Sequence, residues 1–423
     1  MTEETPPAAE TVTVGTVAEL LAAVDAAAGG GPPVIGLDER LTGVPGFTLP
    51  PGAALTGSAP GAGLVFDGGD GLRLSRDNHV SRVRLETAPT ARALHNDTSV
   101  EQLGTLELSQ LSIVGRVELV ARDRVTGGHV RIDGLDIEEA DAREALPRPS
   151  GYNVEVLQGA FTLYNQQSSP ESLITCDLAG IGAGREGAPV RGSGVFVSGT
   201  PDGGRVEGRR LHTETVHSDG GIPAGTPGLI SGGVFVVYAA FREVVNEGPV
   251  TTYGVNDMVL DLWGEVEGWT ARGPVTSHGP SGIGFVTFGA IRRLTVEAPI
   301  ETFGVGARGF NIYDGTVDSA DFDRIVTHAD AAVGIQISKP FGTLTVHRGV
   351  ETHGAVGESL VKGELRKLAA TALSLLPGAR ALRIRIDGGI TVRGPGVPAM
   401  EILGSVDVLD ISGPVRSLGE PEE

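Results

Sequence analysis

Cysteine is all but missing from this 423-residue chain. Cys176 stands alone, so neither an intrachain disulfide nor a cysteine-built zinc site can form. Aromatic residues make up only 4% of the chain, while 40% is hydrophobic, so a large core has to be built from aliphatic side chains. Lysine occurs only at 339, 362 and 367, and the 33 basic residues face 53 acidic ones, for a net charge of -20. Such a chain repels nucleic acid and anionic membrane surfaces, and no basic run offsets that. No apolar run approaches the ~18 residues of a membrane span. The opening MTEETPPAAETVTV has neither the basic start nor the apolar stretch of a secretory signal. These absences predict a cytoplasmic protein with no nucleic-acid or membrane partner, leaderless export staying open.

Glycine is abundant instead, at 64 residues, with 26 prolines and no G-X-Y period. Residues 1–12 read as a disordered acidic tail and 420–423 as a second short tail. Within 13–31, TVAELLAAVDAA (16–27) carries helical spacing at Val17, Leu20, Leu21 and Val24, with Thr16 and Glu19 forming a capping box and glycines 29–31 as the stop. From residue 32 onward the pattern becomes short β segments punctuated by turns, such as ALTG (54–57), GLVFDG (63–68) and VSRVRLE (80–86). Val83, Leu111 and Leu135 mark a loose early repeat.

The repeat becomes regular after residue 231. Counting Gly248 as column 1 of a 25-residue period, column 3 holds Val250, Val275, Ile300, Ile325 and Val350. Column 5 holds Thr252, Ser277, Thr302, Thr327 and Thr352; column 7 holds Gly254, Gly279, Gly304, Ala329 and Gly354. Column 13 reads Phe235, Leu260, Phe285, Phe310, Ile335 and Leu360. Insertions are expected near 136–150, 220–230 and 363–378, the last as a helix with apolar residues at 365, 368, 369, 372, 373 and 376, stopped by Pro377-Gly378. Ile390 and Val415 resume the period.

A unit of this length suits one turn of a solenoid with three short strands and three bends, stacked in parallel at about 4.8 Å. Like residues then touch like residues, because no turn can bury its faces alone. With columns 3, 5, 13 and 15 inward, the expected fold is all-β: a single parallel β-helix spanning 32–419.

The helix TVAELLAAVDAA, the segment TLPPGAALTGSAPGAGLVFDGGDGLRL and the 25-residue ladders resemble the right-handed parallel β-helix, or pectin-lyase-like, superfamily. That resemblance implies a right-handed coil closed by the N-terminal helix. Its members include polysaccharide lyases, glycoside hydrolases, uronate epimerases, tailspikes, adhesins and non-catalytic scaffolds. The chain has SHG (277–279) and THG (352–354), but lacks the paired aspartates and Arg-Ile-Lys of polygalacturonase-like members, so no catalytic residue carries over.

Two outward ladders are the candidates for chemistry. Column 6 reads Tyr253, His278, Phe303, His328 and His353. Imidazoles on neighbouring rungs disfavour double protonation, which leaves one as a base near neutral pH. Glu301 and Glu351 are the carboxylates placed to work with them, giving His278, His328, His353, Glu301 and Glu351 as candidate catalytic residues. Plain stacking of planar side chains at a bend accounts for the same column. Column 16 reads Tyr238, Trp263, Phe288 and Tyr313, a strip about 15 Å long if it faces out. With Asp261 and Asn311 of column 14 it makes a candidate ligand-binding floor for sugar rings or a partner; an aromatic ladder under a covering loop is the alternative. No metal site and no cofactor are expected. Three functions fit: a carbohydrate-active lyase, hydrolase or epimerase; a scaffold or binding protein, with homo-oligomers among its forms; and an intracellular enzyme acting on a small molecule.

Overall fold

The 25-residue period is a stacking period. In the computed structural model, which describes residues 10–31, 33–361 and 364–419, each regular coil contributes three strands. The coil beginning at Val250 runs Val250–Thr252, Asp257–Leu262 and Glu265–Ala271, and the next runs Val275–Ser277, Ile283–Thr287 and Ala290–Val296. Every strand pairs in parallel with its counterpart one coil on, as in Val250↔Val275, Leu260↔Phe285 and Trp269↔Leu294. The first and third strands of the coils belong to one 26-stranded sheet, and the middle strands to a sheet whose path runs through 13 strands. The chain is an all-β solenoid, a parallel β-helix.

Its core is the bore of the coil. Val250, Val275, Ile300, Ile325 and Val350 are all 2% exposed or less, as are Leu260, Phe285, Phe310 and Ile335. The serine and threonine column is equally buried, which places columns 3, 5 and 13 inward. Column 7 is glycine because neighbouring rungs meet there. A Cβ on Gly304 would lie 1.9 Å from the Gly279 carbonyl oxygen. Ala329 occupies the same column, so a methyl is accommodated only where the backbone gives way. Gly304→Ala is therefore expected to cost about 1–3 kcal/mol, the range for overpacking, read as a lowered denaturant midpoint.

The N-terminal helix spans Val17–Ala28, with the Thr16–Glu19 capping box formed, and buries Leu20, Ala23 and Val24 against the first coil. It is preceded by strand, not tail: Thr11–Val14 pairs in parallel with Val34–Leu37. Of the expected 1–12 tail, 1–9 lie outside the described residues, as do 420–423. At the other end Ile402, Leu409 and Val415 are 37%, 38% and 46% exposed.

Two further expectations need correction. The helix over 363–378 is absent. Val356–Val361 and Glu364–Ala369 form an antiparallel hairpin, and Leu373–Leu375 is the middle strand of its coil. The apolar spacing divides between hairpin and strand, and Leu373 and Leu375 are buried as alternating strand residues. As a result Leu373, not Leu360, pairs with Ile335, and the inserted segment is the hairpin. Phe235 also leaves its column: Val234 pairs with Leu260 and Phe235 with Asp261, a register of 26 that turns Phe235 to the outer face. Finally, the two other insertions meet. Ser150–Gly151 pairs antiparallel with Val154–Val156, which lies parallel to Leu229–Ile230 at the end of the second insertion.

Candidate functional site

The outer face of the middle sheet carries a second apolar cluster, separate from the bore, which includes Val156, Ile230, Phe235, Met258, Trp263, Ile283 and Val286. The hairpin at 150–156 lies over it. Tyr152 inserts between the column 16 rings, 5.2 Å edge-on from Trp263 and 4.4 Å from Phe288, while the Tyr238 hydroxyl donates to the Ser150 carbonyl at 3.2 Å. Phe288 and Tyr313 stack at 5.1 Å. Trp263 is only 4% exposed. The column is continuous, but the loop covers its Tyr238 end and leaves the Phe288–Tyr313 end facing a cavity.

That cavity measures about 250 Å³. Met258, Ile283, Val286, Asp261 and Arg308 form its floor; Tyr152, Val154, Leu229 and Ile230 close it from above. Its mouth carries an ion pair, Lys339 Nζ to Asp314 Oδ1 at 3.0 Å. The middle-strand register puts Asp261, Val286, Asn311 and Gln336 in one row.

Three polar side chains of this sheet, Asp261 and Arg308 in the floor and Asn311 paired in register with Val286, are sealed from solvent and incompletely bonded. Asp261 is 0% exposed and neither carboxylate oxygen has a hydrogen-bond partner. Burial holds its carboxyl well above the usual aspartate range; the Trp263 indole N–H beside it offsets only part of that, and its geometry falls short of a hydrogen bond. Asn311 is 0% exposed with both amide atoms unpartnered. Arg308, 1% exposed, donates from Nε to Gln336 Oε1 at 3.0 Å and from Nη1 to the Gly306 carbonyl at 3.2 Å, lies 6.0 Å from the Tyr313 ring centre, and has no partner for Nη2. Native proteins leave few such groups unsatisfied, since each costs on the order of 1–3 kcal/mol.

No protein-family model, curated protein or solved structure matches this chain. The site therefore has to be judged on its own geometry.

Column 6 is a stack on the outside of a bend. His217, Tyr253, His278, Phe303, His328 and His353 follow one another with ring centres 4.4–6.1 Å apart. The structure brings four of the five candidate catalytic residues together in pairs: His328 Nε2 lies 2.9 Å from Glu301 Oε1, and His353 Nε2 2.9 Å from Glu351 Oε1. His278 stacks between Tyr253 and Phe303. Glu351 also accepts from Arg393 Nε and Arg324 Nη2, each at 2.6 Å. Burial pushes its carboxyl up, but the two guanidiniums bring it below the usual range. Burial lowers His353, with Glu351 opposing. These carboxylates are already ion-paired, and none of these residues lines the cavity. A larger concavity of about 760 Å³ across the third strands is more open and lined by paired charges such as Arg209 and Glu207.

Cys176 is buried in the bore, and burial pushes its thiol up, so it is a core residue. His217 Nδ1 meets the Tyr253 hydroxyl at 3.1 Å, and Asp219 pairs with Arg191. Among the described residues no group of three or more His, Cys, Asp or Glu side chains is placed to hold a metal, and no helix is long and apolar enough to cross a membrane. Sequence reasoning reached Asp261, Asn311, Phe288 and Tyr313 but missed Arg308 and Tyr152. Arg308 carried a signal: it stands where its column otherwise holds Met258, Ile283 and Val333.

Proposed function

We propose that this β-helix binds a small molecule in the cavity on the outer face of its middle sheet. Carrying this reading is the coincidence of a partly enclosed apolar space with Asp261 and Arg308, two buried polar side chains whose bonding capacity is unfilled. Ligand sites combine those two features: apolar walls give affinity, and a few converging polar groups fix orientation. At about 250 Å³ the space lies below the usual range for drug-sized ligands and suits a single ring system with a short polar arm. Of the three functions the sequence allows, this is nearest to the small-molecule one. An elongated carbohydrate would need the aromatic strip open along its length, and Tyr152 occupies the middle of it.

The test is to fill the space. Val286→Trp puts an indole into the cavity floor from a position between Asp261 and Asn311. A fragment set with acidic, basic and neutral head groups is expected to yield binders by ligand-observed NMR with the unaltered protein, and those binders are expected to be lost in the variant. Binders that survive Val286→Trp, or none at all in any head-group class, would sink the reading.

A further inference from the structure

The unfilled groups do more than mark a site; they state what would complete it. This step rests on the reading of the cavity as a ligand site. Arg308 Nη2 is a donor, and the acceptors already bonded to Arg308 are a neutral amide and a backbone carbonyl. At the mouth the Lys339 and Asp314 charges offset each other. Asp261 is the only carboxyl in the floor, and in the empty cavity it is sealed from water with no cation bonded to it. A sealed carboxyl without a partner is favoured in its neutral form, in which it too becomes a donor. The floor then presents two donor side chains and one positive charge, with no bonded anion to match.

We propose that the cavity is a receptor for a small, largely apolar carboxylic acid, bound as its carboxylate by Arg308 and a neutral Asp261. The hydrocarbon part of the ligand packs on Val286, Ile283 and Met258 beside Phe288, all of which line the space. The carboxylate accepts from Arg308 Nη2, and neutral Asp261 donates to its second oxygen. Charge-assisted bonds of this kind are the strong ones, and the guanidinium fork suits a carboxylate. The titratable or charged groups lining the cavity are Asp261, Arg308, Tyr152, Tyr313, Asp314 and Lys339. Burial drives Asp261 well above the ordinary aspartate range, so acid binding weakens as pH rises and Asp261 ionises.

The experiment uses three probes with one apolar body: 3-phenylpropanoate, 3-phenylpropanamide and 3-phenylpropylamine, titrated calorimetrically into the full chain. The acid is expected to bind about ten- to a hundredfold more tightly than the amide or the amine, the factor for one charge-assisted hydrogen bond. Arg308→Gln is expected to erase that preference. If Arg308→Gln fails to fold, the acid-over-amide preference of the unaltered protein and the pH profile of Asp261→Asn decide. Asp261→Asn keeps a neutral donor; it is expected to retain acid binding within a few fold and to lose the pH dependence. Preference for the amine, with loss on Asp261→Asn, would show Asp261 acting as an anion and overturn the inference while leaving the cavity a ligand site. Failure of all three probes, with other fragments displaced by Val286→Trp, overturns it in the same way. Silence from every head group defeats the underlying reading as well.

Discussion

Trp269→Ala is expected to lower the unfolding free energy by about 3–5 kcal/mol, the cost of deleting a large buried aromatic side chain. Trp269 is 0% exposed and stands in the bore, paired along its ladder with Val244 and Leu294. Its ring meets Phe285 edge-on at 5.1 Å, and its Nε1 donates to Asn246 Oδ1 at 2.8 Å. Deletion leaves a void flanked on both sides by rungs that are fixed by their own pairing, so the cavity cannot collapse, and it strips Asn246 of a buried donor. Trp269→Phe separates the two effects: it keeps most of the volume and loses the hydrogen bond, for a smaller cost of about 1–2 kcal/mol. Equilibrium denaturation of both variants checks the order. Equal costs would mean that the hydrogen bond, not the packing, dominates.

Stability is expected to fall as pH rises from 6.5 to 8. Burial raises Asp257 to about 7 and Asp261 well above its ordinary 3.8. A group that holds its proton more tightly when folded contributes fully below the unfolded value of about 4 and loses that contribution as pH climbs through the folded value. Asp257 is therefore spent by about pH 7, and Asp261 acts in the same sense. His95 runs the other way: burial depresses it to about 3, so its contribution is present above 6.5 and is lost as pH falls towards 3. His217 and His353, both lowered by burial, have the same sign. Below pH 6.5 the histidines oppose the aspartates; above it they are neutral in both states and the aspartates act alone. Asp261→Asn is expected to flatten the fall. A wild-type midpoint that stays level from pH 6.5 to 8 would show that the Asp261 carboxyl reaches water.

The architecture was legible because parallel stacking writes itself into sequence. Val250, Val275 and Ile300 pair with one another, so burial imposes the same demand every 25 residues. Where a coil gains a residue the rule slips, and Phe235 moved from bore to outer face on a one-residue shift. The segment at 363–378 misled because its apolar spacing satisfies a helical face as well as a hairpin followed by a strand, and only the neighbouring coil, offering Ile335 and Ile337 as partners, decides between them. The site was half legible. Asp261 and Asn311 follow from alternation along the middle strand. The cover does not, because Tyr152 lies 136 positions before Phe288, whose carbonyl its hydroxyl reaches at 3.3 Å, and no periodicity links them. The histidine column was found correctly as a stack. Its pairing with Glu301 and Glu351 followed from adjacent rungs, but the guanidiniums that saturate Glu351 came from the coil geometry.

Methyl-resolved NMR of the full chain during titration with 3-phenylpropanoate tests the central claim most directly. Met258 and Ile283 line the cavity floor and Ile230 its cover, whereas Ile384 sits in the bore and Ile291 under the open concavity. Saturable shifts at Met258, Ile283 and Ile230, with Ile384 and Ile291 unmoved, are the predicted result. Shifts centred on Ile291, or none at the cavity methyls, would contradict the account.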